Sequence, residues 1–302
     1  MKLPRQIEII EVCPRDGFQN IDQFIETEDK IEIVKNLIDT GFRRIEITSF
    51  VSPKYVPQMR DAIEVCKAVR NYISGRGVNL IALIPNRRGF ETAITSGVDE
   101  INYVVSVSEW HNMKNVGRTT EESMEDFKRI ATDKGSKKLR ISLATTFGCP
   151  FGDEIKSERL MELAISSLEY GADEILLADT FGLANPVLVE RILSALLKKI
   201  DADKLCLHMH DTCGGGLANI LTAMQYGIFK FESASGGLGG CPFAPGASGN
   251  IPTEDLLYMI NGMGIKTGID FNRLINVVFL ISKRVNTPIT SHLWAMSECL
   301  RH

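Results

Sequence analysis

The stretch EILLADTFGLANPVLVERILSALLKKIDADKLCLHMHD, residues 174–211, contains a complete strand–helix–strand unit. Its first apolar run, EILLADT at 174–180, and its last, LCLHMHD at 205–211, have the length and composition of buried strands. Between them Pro186 opens a segment, PVLVERILSALLKKI, whose apolar residues recur at helical spacing. Two buried strands joined by one helix are typical of a parallel sheet.

The same alternation extends in both directions along the chain. Strands are predicted at 7–12, 44–50, 78–84, 100–107, 138–147, 174–180, 205–211 and 228–235, and helices at 27–40, 57–72, 87–97, 120–135, 157–171, 186–200, 217–227 and 253–264. Glycines stand where four of these helices should end, and they are Gly41, Gly97, Gly171 and Gly227. Eight sequential strand–helix units indicate an α/β fold, a TIM (β/α)8 barrel, and no GxGxxG follows the first strand to favour a dinucleotide-binding sheet. We expect one catalytic domain over residues 1–302, with the barrel at about 7–265 and extra C-terminal helices at about 266–302.

Composition limits the kind of protein this can be. The chain has 302 residues, 44% of them hydrophobic and 24% charged, as in ordinary globular proteins. Its 34 Lys and Arg against 38 Asp and Glu give a net charge of −4 without a basic stripe, which argues against nucleic acid as a partner. We find no apolar run long enough to span a membrane, and because the first strand is predicted to begin near residue 7 we expect no leader. The 7 cysteines include no CxxC pair, so we expect a cytoplasmic protein with reduced thiols.

Two histidines stand near the end of the seventh predicted strand. Side chains two apart on a strand point to the same face, so His208 and His210 should aim at one point while Met209 faces away. Two surface histidines are an ordinary alternative. The pair ends an apolar run, however, and buried imidazoles need a shared partner such as a carboxylate or a metal. The pattern therefore favours metal ligation.

In a barrel of this type the active site lies at the carboxyl ends of the strands. Residue types that carry catalysis and binding are found at those ends, and they are Arg15, Asp16, Gln19, Glu46, Asp179, His208, His210, Cys241 and Asn250. Closure of the barrel brings the seventh, eighth and first strands together, so Asp16, the two histidines and Asn250 can meet. One carboxylate, two imidazoles and one amide oxygen suit Mg²⁺ or Mn²⁺ better than structural zinc.

These residues also have simpler interpretations. Asp16 could cap the following segment or form a surface ion pair with Arg15, and Asn250 could be the N-cap of the eighth helix. Glu46 could pair with Arg44 or Arg15, and the loop cysteine could be a small packing residue. The convergence of the candidates at one rim favours a functional site.

Several segments resemble the 3-hydroxy-3-methylglutaryl-CoA (HMG-CoA) lyase family. They are EVCPRDGFQN, IEITSFVSPKYVPQM, TTFGCPFGD, LADTFG, HMHDT and GGLGGCPFAPGASGNIPTEDLLYM, and the resemblance runs from about residue 7 to about residue 285. The glycine-rich segment is far more specific than His-x-His. The resemblance implies a TIM barrel that uses Mg²⁺ or Mn²⁺ to cleave HMG-CoA, or a close 3-hydroxyacyl-CoA, to acetyl-CoA and acetoacetate.

Matching the family motifs onto this sequence implies a role for each candidate. The implied metal ligands are Asp16, His208, His210 and Asn250. Arg15 is implied to face the thioester enolate, and Cys241 to protonate the enolate carbon from a mobile loop. The implied substrate-pocket residues are Gln19, Glu46 and Asp179. The base that removes the hydroxyl proton stays open between Asp16 and a metal-linked histidine such as His208, and the expected partners are an acyl-CoA and a second copy of the chain.

The sequence departs from the family pattern near the histidines. Cys213 replaces a usual tyrosine, and Gly215 and Gly216 replace larger residues, so we expect a pocket that tolerates a different C3 substituent. Glu232 stands where aspartate is usual, and Thr145 begins a Thr-Thr pair where smaller residues are usual. Two other functions stay open: a synthase that condenses an acyl-CoA with a 2-oxo acid, and a non-catalytic acyl-CoA-binding barrel.

Overall fold

The computed structural model describes residues 3–151, 154–239 and 249–299. Eight parallel strands form a closed barrel in chain order, and they are β1 (Glu8–Glu11), β2 (Arg44–Ser49), β3 (Asn79–Ile84), β4 (Glu100–Ser106), β5 (Lys138–Ala144), β6 (Glu174–Ala178), β7 (Leu205–His208) and β8 (Lys230–Ser233). β1 pairs with both β2 and β8, Glu11 beside Ile45 and Ile10 beside Glu232, which closes the cylinder. The predicted TIM barrel is confirmed.

Helices surround the barrel. They are α1 (Thr27–Thr40), α2 (Ala62–Tyr72), α3 (Arg87–Ala93), α4 (Glu109–Val116), α5 (Thr120–Asp133), α6 (Ser157–Tyr170), α7 (Pro186–Leu196), α8 (Gly216–Gln225), α9 (Thr253–Gly262), α10 (Phe271–Arg284) and α11 (His292–Cys299). Helix α1 buries Val34 and Leu37 on its apolar stripe and ends at Gly41, whose φ of 114° requires a residue without a side chain. Gly171 ends α6 in the same way, so two of the four predicted glycine caps are confirmed. The other two are wrong, because the C-cap of α3 is Ile94 and that of α8 is Tyr226.

Several elements differ from the sequence prediction, among them α4, α2 and β7. Helix α4 is absent from the predicted elements because EWHNMKNV has no clear apolar stripe. Its N-cap is Ser108, whose hydroxyl accepts the N–H of His111 at 3.1 Å. The helix predicted at 57–72 begins only at Ala62, after a short 3-10 turn at Pro57–Met59. β7 ends at His208 rather than at residue 211, because the following residues pair with the segment after β8.

The inside of the barrel is filled by charged and polar side chains. Arg44 on β2 reaches Glu174 on β6 at 2.9 Å, and Arg140 on β5 reaches Glu232 on β8 at 2.8 Å. Neither pair of strands is adjacent, so both contacts must cross the barrel interior. Because side chains alternate along a strand, Leu139 and its apolar equivalents point outward and form the core between strands and helices.

The C-terminal helices pack on the barrel helices. Helix α10 contacts α1 and α9, and α11 contacts α9. Asp255 of α9 accepts the N–H groups of His292 at 2.8 Å and Leu293 at 3.0 Å, which joins it to the start of α11. Within the described ranges, no helix combines the length and hydropathy needed to cross a membrane. Free thiols in those ranges are Cys13, Cys66, Cys149, Cys206 and Cys213.

Candidate active site

Arg15 and Asp16 follow β1 on a π-helical turn, Cys13–Gly17. Glu11 supports this turn, because its carboxylate accepts the N–H of Cys13 at 2.9 Å. The same carboxylate accepts the N–H of Ser235 at 2.9 Å and its hydroxyl at 2.6 Å, which ties the turn to the segment after β8. Sequence reasoning missed Glu11, although a carboxylate inside the apolar strand IEIIEV is a usable signal.

Asp16, His208 and His210 meet at the rim where β7, β8 and β1 end. One potential ligand atom from each lies within 4.8 Å of the others, and all three residues are buried. The Nε2 atoms of the two histidines are 3.1 Å apart. The structure therefore brings together three of the four predicted ligands in a group that could hold a metal ion.

Glu232 on β8 orients His208, since its Oε2 lies 2.9 Å from His208 Nδ1. Burial opposes ionisation of Glu232, but the charge of Arg140 and the hydrogen bond with His208 hold its pKa below the ordinary value. An ionised carboxylate can only accept, so Nδ1 carries a proton, and Nε2 is the ring nitrogen that faces Asp16 and His210. Sequence reasoning treated Glu232 only as a departure from the family pattern.

Asn250, the fourth predicted ligand, reaches Asp16 directly. Its Nδ2 donates to Asp16 Oδ2 at 2.6 Å and to the Leu238 carbonyl at 2.9 Å. A side chain on Gly239 would collide with that nitrogen, so glycine is needed there. The N-cap interpretation is wrong, because Pro252 holds the N-cap position of α9 while the Asn250 side chain contacts Asp16.

The protonation states at this rim fit a divalent cation. Burial, and then the charge of His208, lowers the pKa of His210 to about 3, so its ring is neutral. Burial opposes ionisation of Asp16, but the charge of Arg15, and then that of His208, hold its pKa well below the ordinary range.

The buried polar atoms without a hydrogen-bond partner in the described part of the chain include two at this rim, His210 Nδ1 and Asn250 Oδ1. Burial opposes protonation of His208, but its hydrogen bond with Glu232 raises its pKa above the ordinary value, so a cation would compete with a proton there. The Asp16 carboxylate, the neutral His210 ring and the free amide oxygen of Asn250 are already in the forms that bind such cations.

Arg15 lies between two carboxylates and is only 7% exposed. Its guanidinium contacts Asp16 through Nη1 and Glu46 through Nε, and Glu46 also accepts Asn102 Nδ2 at 2.8 Å. The pair with Asp16 is therefore buried, not on the surface. Of the two partners considered for Glu46, Arg15 is the correct one, because Arg44 pairs with other glutamates at the amino-terminal end of the barrel.

Gln19 and Asp179 occupy different parts of the rim. Gln19 Nε2 donates to Asp16 Oδ1 at 2.8 Å and so supports the ligand group. Asp179 follows β6 and accepts the N–H groups of Leu183 at 2.9 Å and Ala184 at 3.1 Å, which shapes the turn there. Burial raises the pKa of Asp179 to about 6, although these bonds oppose the rise.

The residues that depart from the family pattern do not all open space for substrate. A β-carbon on Gly216 would lie 2.6 Å from Ile251 Cγ1, so this glycine is required by packing. Thr145 is fully buried and accepts the N–H of Ser108 at 3.0 Å. Cys213 is exposed and remains compatible with an enlarged pocket. Cys241 lies outside the described residues.

Comparisons with known proteins show which family the chain is similar to. A family model described as HMGL-like matches residues 6–281. A hydroxymethylglutaryl-CoA lyase of Bacillus subtilis is 44% identical over 293 residues, which are 96% of this chain and 97% of that protein. A crystal structure of a Bacillus subtilis HMG-CoA lyase has a TM-score of 0.95 at 43% identity and covers 99% of this chain and 100% of that one.

A further solved structure is an HMG-CoA lyase from Acinetobacter baumannii in complex with coenzyme A and 3-methylmalate. Its TM-score is 0.90 at 40% identity, and the match covers 96% of this chain and 95% of that one. Sequence and fold therefore match HMG-CoA lyases over nearly the whole length. The chain belongs to the hydroxymethylglutaryl-CoA lyase family.

Proposed function

We propose that this chain is a divalent-metal-dependent lyase that cleaves HMG-CoA, or a close 3-hydroxyacyl-CoA, to acetyl-CoA and acetoacetate. The observation that supports it most is the grouping of Asp16, His208 and His210 beside the buried cation Arg15. The similarity to HMG-CoA lyases, one of them solved with coenzyme A, supports an acyl-CoA substrate.

In this proposal Asp16, His208, His210 and Asn250 hold the cation. Two oxygen donors and two neutral imidazoles favour Mg²⁺ or Mn²⁺ over a structural zinc ion. When bound there, such a cation supplies Lewis acidity that makes the C3 hydroxyl of the substrate a stronger acid. Gln19 keeps Asp16 oriented through its 2.8 Å hydrogen bond.

Arg15 is proposed to stabilise the charge that appears during cleavage. When the C2–C3 bond breaks, its electrons pass to the thioester, whose carbonyl oxygen becomes an enolate oxygen. The guanidinium is held by Asp16 and Glu46 before substrate arrives, so it needs no rearrangement to meet that charge. In this proposal Glu46 affects the substrate indirectly, by holding Arg15 in place. Asp179 also acts indirectly, by shaping the turn after β6.

Three proton transfers complete the proposed reaction. Asp16 or one of the two histidines removes the proton of the C3 hydroxyl. The Cys241 thiol gives its proton to the enolate carbon of the departing thioester, which becomes acetyl-CoA. The base then passes the proton that it took from the hydroxyl to the Cys241 thiolate. Both groups are thereby restored to their starting protonation states. The role of Cys241 rests on the motif GLGGCPFAPGASGN.

We also propose that residues 1–302 act as one catalytic domain, in a homodimer, in the cytoplasm. The packing of α10 and α11 against the barrel helices supports a single unit. The free thiols of the described residues agree with a reducing compartment.

The test is an assay of purified protein with HMG-CoA and Mg²⁺, with acetyl-CoA and acetoacetate measured together. We expect both products in equal amounts. A parallel reaction with acetyl-CoA and a 2-oxo acid, followed by release of free CoA, tests the synthase alternative. Turnover in the condensation reaction alone would show that the protein is a synthase. No turnover in either reaction, together with tight CoA binding, would show that it is a non-catalytic CoA-binding barrel.

A further inference from the structure

A chain of hydrogen bonds crosses the barrel interior and ends at Arg15. The hydroxyl of Ser142 on β5 donates to Asn102 Oδ1 at 2.7 Å, and Asn102 Nδ2 on β4 donates to Glu46 Oε1 on β2 at 2.8 Å. Glu46 Oε2 accepts from Arg15 Nε. Asn102 and Glu46 are fully buried, so water does not compete for the bond between them. The chain therefore ties Arg15 to β4 and β5, neither of which is adjacent to β1.

The guanidinium of Arg15 has three nitrogens, and two of them are occupied. Nη1 contacts Asp16 Oδ1, and Nε contacts Glu46 Oε2. Nη2 forms no hydrogen bond with any described residue, and it is not one of the buried polar atoms that lack a partner, so solvent reaches it. Since Arg15 lies at the carboxyl ends of the strands, Nη2 is the nitrogen available to a substrate oxygen.

Glu46 uses only one of its oxygens on Arg15. Arginine often meets a carboxylate with two parallel N–H groups, and Nε and Nη2 point to the same side for this purpose. Arg44 binds Glu100 in that way, with Nη2 at 2.6 Å from Oε2 and Nε at 3.1 Å from the same oxygen. At Arg15 the second bond is missing, and the Glu46 oxygen that could make it accepts from Asn102 instead.

We propose that Asn102 is a positioning residue that keeps Nη2 of Arg15 free for the substrate. It does so by holding Glu46 Oε1, which would otherwise pair with Nη2. The inference rests on the proposed lyase function and deepens it: Nη2 is the donor that meets the oxygen of the thioester enolate. Asn102 is fully buried and acts only through Glu46 and Arg15.

The competing explanation is that Asn102 only satisfies a buried carboxylate. Leaving such an acceptor without its donor destabilises the folded state. That role predicts a lower melting temperature for any variant without the amide. It also predicts that an accompanying loss of kcat has the same size whether or not Arg15 is present.

Asn102→Leu removes the amide at similar volume. Glu46 Oε1 should then turn to Arg15 Nη2, and a crystal structure should show the two atoms about 2.7–3.2 Å apart. We expect kcat to fall by about 10–100-fold, because the donor is engaged before substrate arrives. KM should change by less than about threefold, since the lost interaction belongs to the transition state.

The same change in an Arg15→Met background tests whether Asn102 acts through Arg15. Without the guanidinium there is no Nη2 to divert. Adding Asn102→Leu to Arg15→Met should therefore change kcat by less than about threefold, although it costs about 10–100-fold on its own. Losses that multiply in the double variant would show that Asn102 has a structural role alone.

Asn79→Leu is the matched control. Asn79 is half-buried at the opposite end of the barrel, and its Nδ2 donates to Glu100 Oε1 at 3.0 Å. Arg44 Nη2 is already bonded to the other oxygen of Glu100, so removing Asn79 diverts no free nitrogen. This variant should lower the melting temperature and leave kcat and the contacts of Arg15 unchanged.

Ser142→Ala is a milder variant of the same chain. It removes the partner of Asn102 Oδ1 and lets the amide turn, so kcat should fall by about 2–5-fold. If Asn102→Leu does not fold, Ser142→Ala with and without Arg15→Met replaces it. A loss that disappears in the Arg15→Met background supports the inference, and a loss that persists there overturns it.

The structure of Asn102→Leu gives a result that does not depend on activity. If Glu46 Oε1 stays away from Nη2, the inference is overturned. It is also overturned if Oε1 turns to Nη2 while kcat stays within about threefold of wild type, because Nη2 is then not the donor that the reaction uses. If wild type does not cleave HMG-CoA, the proposed function is refuted, and the position of Glu46 Oε1 alone decides whether Asn102 keeps Nη2 free.

Discussion

Replacing Arg15 with Met removes the cation that Asp16 and Glu46 share. We expect kcat to fall by about 10²–10³-fold, or about 3–4 kcal/mol, because the guanidinium should stabilise enolate charge that the bound substrate lacks. KM should change by less than about tenfold, since an interaction made only in the transition state contributes little to substrate binding.

Burial of Arg15 is what makes a loss of this size reasonable. The side chain is 7% exposed, and electrostatic interactions act more strongly where water is excluded. The same change leaves Asp16 and Glu46 as buried carboxylates without their shared partner, which should lower the free energy of unfolding by about 3–5 kcal/mol. Binding of Mn²⁺ should persist, because a competing cation has been removed from Asp16.

The assay compares kcat, KM, Mn²⁺ binding and melting temperature for wild type, Arg15→Met and Arg15→Lys. Lysine keeps the charge but lacks the planar fork that meets two carboxylates, so its kcat should be intermediate. A folded, Mn²⁺-binding Met variant that keeps kcat within about tenfold, while KM rises more than tenfold, would refute the reasoning. Arg15 would then belong to substrate recognition.

Further predictions concern the metal, the loop thiol and two buried positions. Chelation should abolish turnover, and readdition of Mg²⁺ or Mn²⁺ should restore it. Cys241→Ser should keep Mn²⁺ binding but lose most turnover, because a hydroxyl is a much weaker acid than a thiol. Gly216→Ala should lower the free energy of unfolding by about 1–3 kcal/mol, because the new methyl meets Ile251. Burial raises the pKa of Glu254 to about 7, so the native state holds more protons than the unfolded chain between about pH 4.5 and 7 and its stability falls as pH rises through that window. Relative to Glu254→Gln, wild type should therefore lose about 3 kcal/mol of unfolding free energy between pH 4.5 and pH 8.

Each of these predictions has an outcome that contradicts it. Full activity after chelation would exclude a metal-dependent step. If kcat of Cys241→Ser stays within about threefold of wild type, under about 1 kcal/mol in barrier, the proton comes from another group. An unchanged melting temperature in Gly216→Ala would mean that Ile251 moves freely. A constant difference between wild type and Glu254→Gln from pH 4.5 to 8 would mean that Glu254 does not titrate in that range.

The barrel was predictable because its signal repeats. Each strand–helix unit carries the same local pattern, so an error at one boundary, such as the start of α2, does not disturb the count of eight. Helix α4 could not be predicted in this way, because its first turn depends on the Ser108 cap more than on an apolar stripe. The end of β7 also depends on a distant segment, since His210 pairs with Asn250.

The candidate site was predictable only where the fold alone places a residue at the rim. Asp16 and the two histidines follow directly from that rule. Glu232 and Glu11 do not, because their partners lie on other elements and no local spacing shows which charges will meet. Gly216 shows the opposite error: a missing side chain was interpreted as room for substrate, whereas Ile251 fills the space.

The charged interior also affects how the protein responds to temperature. On unfolding, apolar surface raises the heat capacity by about 0.45 cal/K/mol per Å², whereas polar surface lowers it by about 0.26. A barrel interior occupied by Arg44, Glu174, Arg140 and Glu232, in place of apolar layers, therefore reduces the heat capacity change of unfolding. A smaller heat capacity change gives a flatter stability curve. This protein should accordingly keep a nearly constant unfolding free energy over a wider temperature range than a barrel of equal size with an apolar interior.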